Sequence, residues 1–201
     1  CRFDGTSAYM SRSLGDGDRR TWTFSTWIKL GGVGGGSSRI FSSYTDTSTS
    51  FYIGFSSDDF YIFGENGNTL FASLITDQKF RDISAWYHIV VAFDTTQGTA
   101  SNRTKLYVNG TQVTSFSTET YPDENEQLEL NRDGKTHYIG QEGSSSGYFN
   151  GYMAEVVFIG GTAYAASDFG EFDEDSPTIW KPKDSSDIKE LTFGTNGFYL
   201  D

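Results

Sequence analysis

The chain has 201 residues, a formal net charge of −12 and a sequence pI near 4.5. Such a surface repels phosphate backbones and anionic bilayers, which argues against nucleic acid and membrane insertion as partner classes. Aromatics reach 16%, Gly is abundant at 23 and Pro scarce at 3, the balance of strands joined by tight turns in one all-β domain.

Cys1 is the single cysteine, so an internal disulfide framework and a cysteine zinc site are both impossible. Two histidines, His88 and His137, offer little for metal or acid–base chemistry. No apolar run approaches the length of a membrane-spanning helix. No leader peptide is visible and the chain does not begin with Met, so it reads as a piece of a longer protein or a processed product.

In chain order, "TWTFSTWIKL" places Trp22, Phe24, Ile28 and Leu30 on one face, with Trp27 on the other, the period of a half-buried strand. "GGVGGGSS" follows as a flexible loop without the Lys or helix start of a phosphate cradle. "RIFSSY", "SFYIGFS" and "DFYIFGENGNTLFASL" read as short strands, the last turning at Glu65-Asn66-Gly67-Asn68. "WYHIVVAFD" puts Tyr87, Ile89, Val91 and Phe93 on one face. "KLYVNGTQV" is a hairpin whose Asn109-Gly110 pair needs positive φ. "THYIGQ", "GYMAEVVFIGG" and the closing "NGFYLD" are further strands, and "TAYAASDFGEF" is the expected short helix. The charged segment Asp173 to Glu190 is expected to be irregular and to wrap the outside. Many short strands punctuated by turns imply a sandwich or barrel. Trp22, Trp27 and Trp86 are expected in the core, and His88 as a satisfied structural group.

"WYHIVVAFD…KLYVNGTQV" resembles the core signature of laminin-G-like, concanavalin A-like jelly rolls, in which a Trp-x-His strand leads through a loop to a Leu-Tyr-Val-Asn-Gly hairpin. "CRFDGTSAYMSR" resembles that family's first strand, "TWTFSTWIKL" its second, and "YFNGYMAEVVFIGGTAYAASDFGEF" its penultimate strand with a short helix after it. The resemblance implies an all-β, concanavalin A-like jelly-roll sandwich of two antiparallel sheets over residues 1–201, with the last strand beside the first. The stretch Phe80 to Pro122 and "FGEFDED" are similar to a subgroup found in structural proteins of marine bacteriophages. That likeness implies a tail-fibre or capsid-surface module for host attachment, located on the virion surface.

A jelly roll offers a rigid body with loops free to bind at its rim. The loops 42–50, 94–104 and 118–126 are Thr-, Asn- and Gln-rich, which suits hydroxyl-rich ligands. Tyr44 and Tyr121 could stack on sugar faces. Asp46, Thr95, Gln97 and Asn102 would supply hydrogen bonds. The plain alternative is a solvated connection. The family resemblance also implies Ca²⁺ at the rim, with Asp58, Asp59, Asp94 and Asp123 as the best carboxylates and Glu124 and Glu126 beside the last; solvated acids are the plain alternative here. Tyr148 and Phe149 are expected to pack inside.

The expected partners are a cell-surface glycan, other virion proteins and further copies of the chain. A non-catalytic binding module is the favoured reading, a capsid or fibre decoration module the second, and a glycoside hydrolase the third. The hydrolase reading draws on Glu171, Asp173 and Asp175 in "EFDED", which alternate as a catalytic strand would but precede Ser176-Pro177 in an unsuitable context.

Overall fold

A computed structural model describes residues 1–33 and 36–201. Gly34 and Gly35, at the centre of the expected Gly-rich loop, lie outside the described residues.

The strands run β1 (Arg2–Asp4), β2 (Met10–Ser13), β3 (Thr21–Leu30), β4 (Ser37–Asp46), β5 (Thr49–Ser56), β6 (Asp59–Asn66), β7 (Thr69–Lys79) and β8 (Tyr87–Asp94). They continue with β9 (Thr104–Val108), β10 (Thr111–Gln112), β11 (Phe116–Thr120), β12 (Thr136–Ile139), β13 (Asn150–Gly160), β14 (Gly170–Phe172), β15 (Trp180–Pro182) and β16 (Phe198–Leu200), with helix α1 (Ser185–Lys189) before the last. One antiparallel sheet has the order β1-β13-β3-β8-β9-β10, and the other β11-β7-β6-β5-β4-β12-β2. The two face each other as the expected jelly-roll sandwich. The last strand, β16, pairs with β13 at Val156–Phe158, and β1 pairs with the same strand at Asn150–Tyr152, so the two termini lie in line along one edge.

The alternation read from the sequence is what fills the core. Trp22, Phe24 and Ile28 from β3 and Ile89, Val91 and Phe93 from β8 are fully buried and meet Phe41, Phe51 and Phe60 of the opposite sheet. Phe24 stacks on Phe41 with ring centroids 4.6 Å apart, and Trp22 on Phe93 at 4.5 Å. Each fully buried ring of this size contributes roughly 2–3 kcal/mol. Both expected hairpins form: Gly67 and Asn68 take positive φ at the β6–β7 turn, as do Asn109 and Gly110 after β9.

Four features differ from the sequence reading. The first-strand stretch splits into β1 and β2, which join different sheets. Residues 162–172 hold a single 3₁₀ turn (Ala166–Asp168) rather than a helix, because Phe169 drops into a second apolar cluster and Gly170 starts a strand under Trp180. The α-helix lies instead in the segment expected to be irregular, where the Asp184 carboxylate caps it by accepting from the Ser186 N–H at 2.8 Å. Finally, of the three tryptophans expected in the core only Trp22 is there: Trp27 is half-buried on the outer face of its strand, and Trp86 is 42% exposed because β8 begins one residue later, at Tyr87.

The segment from 164 to 193 covers the outer face of the first sheet, where Val90, Val157, Ile159, Ala166, Phe169 and Ile188 form that second cluster. Trp180 anchors it. Its indole N–H donates to His88 Nδ1 at 3.0 Å, and its ring lies over Gly110 and Gly170, where a Cβ would collide with it. An indole can only donate, so Nδ1 is the unprotonated nitrogen and Nε2–H donates to Ser25 Oγ at 2.9 Å. His88 is thus a buried neutral imidazole with both nitrogens satisfied, and burial lowers its pKa from 6.5 to about 3.

Candidate ligand-binding rim

The three segments expected to bind as loops reach one end of the sandwich, but 42–46 and 49–50 are strand residues of β4 and β5 and 118–120 belong to β11, so their loop portions are shorter than read. In the second sheet, Asp46 pairs with Thr49 and Asn66 with Thr69, so the β4–β5 and β6–β7 turns stand side by side. The Asn68 N–H donates to Ser48 O at 2.9 Å between them. In the first sheet, Asp94 ends β8 opposite Thr21, and the chain returns at Thr104. The segment after β11 bridges the sheets: Asn125 N–H donates to Thr95 O at 2.7 Å, and Thr95 Oγ1 to Glu126 O at 2.9 Å.

Arg103 locks this arrangement. Its guanidinium is largely buried and donates to Gln97 O at 2.7 Å, Gly98 O at 3.1 Å and Pro122 O at 2.9 Å. A long polar loop is thereby wound around one buried cation. Within it, Asp94 accepts from Thr96 and from the Gln97 side chain at 2.6 Å. Burial pushes the Asp94 carboxyl up, but those hydrogen bonds outweigh it and hold it below the usual range. Thr95 is fully buried and Gln97 is spent on Asp94, so both serve the loop itself. Asn102 stands exposed in a 3₁₀ turn (Ala100–Asn102).

Beside this lock, Asn66, Thr69, Leu70, Tyr121, Asp123 and Glu126 line a cleft of about 330 Å³. Tyr121 is half-buried and its hydroxyl donates to Glu119 Oε1 at 2.7 Å. Burial, then that hydrogen bond, pushes its pKa up to about 12. Glu126 is also raised, first by burial and then by the neighbouring Asp123. With Phe71 and Thr120 also in its lining, the cleft combines aromatic rings, an apolar side chain and several hydrogen-bonding side chains.

Tyr121 and Asp123, with Glu126 beside them, are the expected residues that this cleft brings together. Tyr44 packs at Gly143, and Asp46 caps its own turn by accepting from the Ser48 N–H and hydroxyl at 2.8 and 2.7 Å. The four carboxylates expected for Ca²⁺ do not assemble. Asp58 and Asp59 lie at the opposite end, in the β5–β6 turn, paired with Arg81 and Lys79. The Arg81 hydrogen bond holds the Asp58 carboxyl low. Among the described residues, no three His, Cys, Asp or Glu side chains cluster to hold a metal ion. The donor set expected for calcium therefore does not fit as read.

The "EFDED" carboxylates are not in a cleft either. Glu171 and Asp173 flank Lys181 at 3.7 and 3.1 Å on the two-stranded β14–β15 ribbon. Phe149 is fully buried, while Tyr148 lines a separate cleft of about 400 Å³ at the far rim with Thr6, Ser37, Ser38 and Asn150. Sequence reasoning missed Asn66, Thr69 and Leu70. The hairpin signal marked their turn, but which loop faced it was not readable.

The sequence matches the family described as the concanavalin A-like lectin/glucanases superfamily over residues 4–166. No curated protein sequence matches it significantly. Among solved structures it is similar to a heptameric SAP-like pentraxin from Limulus polyphemus, at 18% identity and a TM-score of 0.57, over 82% of this chain and 76% of that one. It is also similar to domain 4 of the arabinanase AbnA from Geobacillus stearothermophilus, solved with arabinotriose, at 14% identity and a TM-score of 0.57, over 81% and 71% of the two chains. Tailspike protein 2 of an Escherichia coli O157:H7 bacteriophage aligns at 11% identity and a TM-score of 0.55, over 84% of this chain and 23% of that one. At these identities the likeness is one of fold. With its family match covering most of its length, the chain belongs to the concanavalin A-like lectin/glucanases superfamily.

Proposed function

We propose that the chain is a non-catalytic glycan-recognition module displayed on a bacteriophage virion, with the 66–69 and 120–126 rim as its binding face. The observation that carries this reading is the cleft at that rim, where the Tyr121 ring stands among Asn66, Thr69, Asp123 and Glu126. A sugar presents a C–H face that suits an aromatic ring and an edge of hydroxyls that suits amides and carboxylates. Support for the virion setting is the sequence resemblance of Phe80 to Pro122, with a tailspike among the structural neighbours. The AbnA domain carries a bound arabinotriose, which makes pentose and hexose oligosaccharides the first ligands to try.

One observation favours a hydrolase as second reading: Glu126 is a carboxyl with raised pKa beside a second acid, Asp123. The two occupy one turn, with Glu126 N–H donating to Asp123 O at 3.1 Å. They therefore share one wall, whereas hydrolysis needs carboxylates flanking the scissile bond at roughly 5–9 Å.

The test is a glycan array with the purified protein, run with Ca²⁺ and again with chelator, followed by reducing-sugar assay on any hit. Binding without release of sugar, weakened about tenfold by Tyr121→Ala, is the expected result, equivalent to about 1.4 kcal/mol. Binding lost with chelator would put calcium at the rim. Sugar release abolished by Glu126→Gln would establish the hydrolase. No binding in either condition would leave a module that docks other virion proteins.

A further inference from the structure

We propose a second binding site, for an organic cation, on the outer face of the first sheet and independent of the rim. Trp27 on β3, Trp86 ahead of β8, Ala154 and Glu155 on β13 and Pro182 on β15 line a cavity of about 320 Å³. Trp86 is 42% exposed, and among the described residues only Tyr9, Tyr152 and Phe172 are comparably exposed aromatics. Trp27 is half-buried and fixed, stacking on His88 with centroids 4.8 Å apart and an interplanar angle of 19°. His88 is in turn held by Ser25 and Trp180.

Glu155 supplies the charge, and the backbone is distorted where it does so. Ala154 pairs with Trp27 and the next pair is Val157 with Ser25, so Glu155 lies in a β-bulge, with φ of +52°. That left-handed conformation disfavours Glu, and a bulge re-aims a side chain away from its regular direction. A strained position at a cleft is the kind of outlier that points to function. The Tyr199 hydroxyl donates to Glu155 Oε2 and fixes the carboxylate. Among the described residues, no Lys, Arg or His forms an ion pair with Glu155. Lys189, over the Tyr199 ring at 5.3 Å, pairs with Asp201 at 3.9 Å instead.

The lining decides the ligand class. It offers two indoles, two aliphatic surfaces and one carboxylate, with no amide, hydroxyl or cationic side chain. A saccharide would find few partners for its hydroxyls, and a phosphate would meet a carboxylate and no cation. An alkylated ammonium fits every part: indole faces attract the cation, the carboxylate neutralises it, and its methyl groups are buried. The chain's net charge of −12 adds long-range attraction. Such a group could come from a small quaternary ammonium compound or from a methylated lysine on a protein.

The experiment follows the indole N–H signals of the intact chain by ¹H–¹⁵N NMR during titration with choline, its neutral isostere 3,3-dimethyl-1-butanol, and a trimethyllysine peptide. Saturable shifts of the Trp27 and Trp86 signals with choline are expected, with the neutral isostere at least tenfold weaker. Glu155→Gln keeps the acceptor for Tyr199 and should weaken binding at least fivefold. Trp86→Ala alters an exposed side chain and should do the same, so the test survives if the first variant fails to fold. Tyr121→Ala should leave binding unchanged. A peptide tighter than choline assigns the site to a protein partner, and equal affinity to a free cation. Equal binding of the neutral isostere, unchanged binding in both variants, or shifts with arabinotriose but not with choline would overturn the proposal.

Discussion

Two segments of this chain look alike in composition and behave differently in the fold. Residues 94–104 and residues 173–190 are both polar and rich in turn formers, yet each is pinned by one side chain, of opposite character in the two. The rim loop closes around a cation, Arg103, whose donors satisfy backbone carbonyls from two segments. The outer strap closes by an aromatic donor, Trp180, docked on a buried imidazole. Polarity of a segment therefore does not report whether it is anchored; what matters is whether one of its side chains makes buried or part-buried hydrogen bonds.

The strap rests on a buried histidine, His88, and β12 carries a second, His137, so acid should test both at once. His137 Nε2 accepts from the Asn131 N–H at 2.8 Å, so its other nitrogen carries the proton and donates to Lys135 O at 3.1 Å. Burial lowers the His137 pKa to about 4 and that of His88 to about 3, against 6.5 unfolded. Between those values the unfolded chain binds protons that the folded chain does not, so stability falls as pH drops below 6.5 and is level above it. From pH 8 to pH 5 each histidine should remove about 2 kcal/mol, about 4 kcal/mol together. Urea unfolding at the two pH values measures this. His88→Gln should remove the strap's half and leave the other. An unchanged midpoint at pH 5 would mean that the histidines are not buried neutral.

Arg103→Ala should cost about 3 kcal/mol, since three backbone carbonyls lose a charged donor at once. The loss should be local as well as global, with faster hydrogen exchange at Asn125 N–H, which bonds to Thr95 O across the same junction. A cost under about 1 kcal/mol would make the 94–104 loop the plain solvated connection its composition suggests.

Much of the sandwich was legible because period-two patterning survives folding: the faces assigned to Trp22, Phe24 and Ile28 and to Ile89, Val91 and Phe93 are the faces buried. The Asn-Gly hairpins were legible because few residues accept positive φ. Half of the rim cleft was legible, in Tyr121 and Asp123, because exposed aromatics and acids stand out in polar loops. Its other wall, Asn66 and Thr69, was not, because the pairing of distant turns is set by topology. The outer-face cleft left almost no trace. Alternation put Trp27 outward without saying what covers it, and the bulge at Glu155 carries no glycine to mark it. Trp86 misled because one residue of strand boundary decides between core and surface.

Trp180→Phe separates the strap's hydrogen bond from its packing. The smaller ring still covers Gly110 and Gly170, but no donor remains for His88 Nδ1, leaving a buried acceptor unpaired at about 1–2 kcal/mol. The effect should itself depend on pH. With no indole N–H occupying Nδ1 and less of the imidazole shielded, His88 takes up a proton more readily in the folded state. The gap between its folded and unfolded pKa narrows, and with it the acid penalty. The variant should therefore be less stable than the parent at pH 8 and closer to it at pH 5, while Arg103→Ala should show the same deficit at both. Parallel pH curves for Trp180→Phe and the parent would mean that the strap is held by apolar packing alone, and the contrast between the two segments would reduce to one buried arginine.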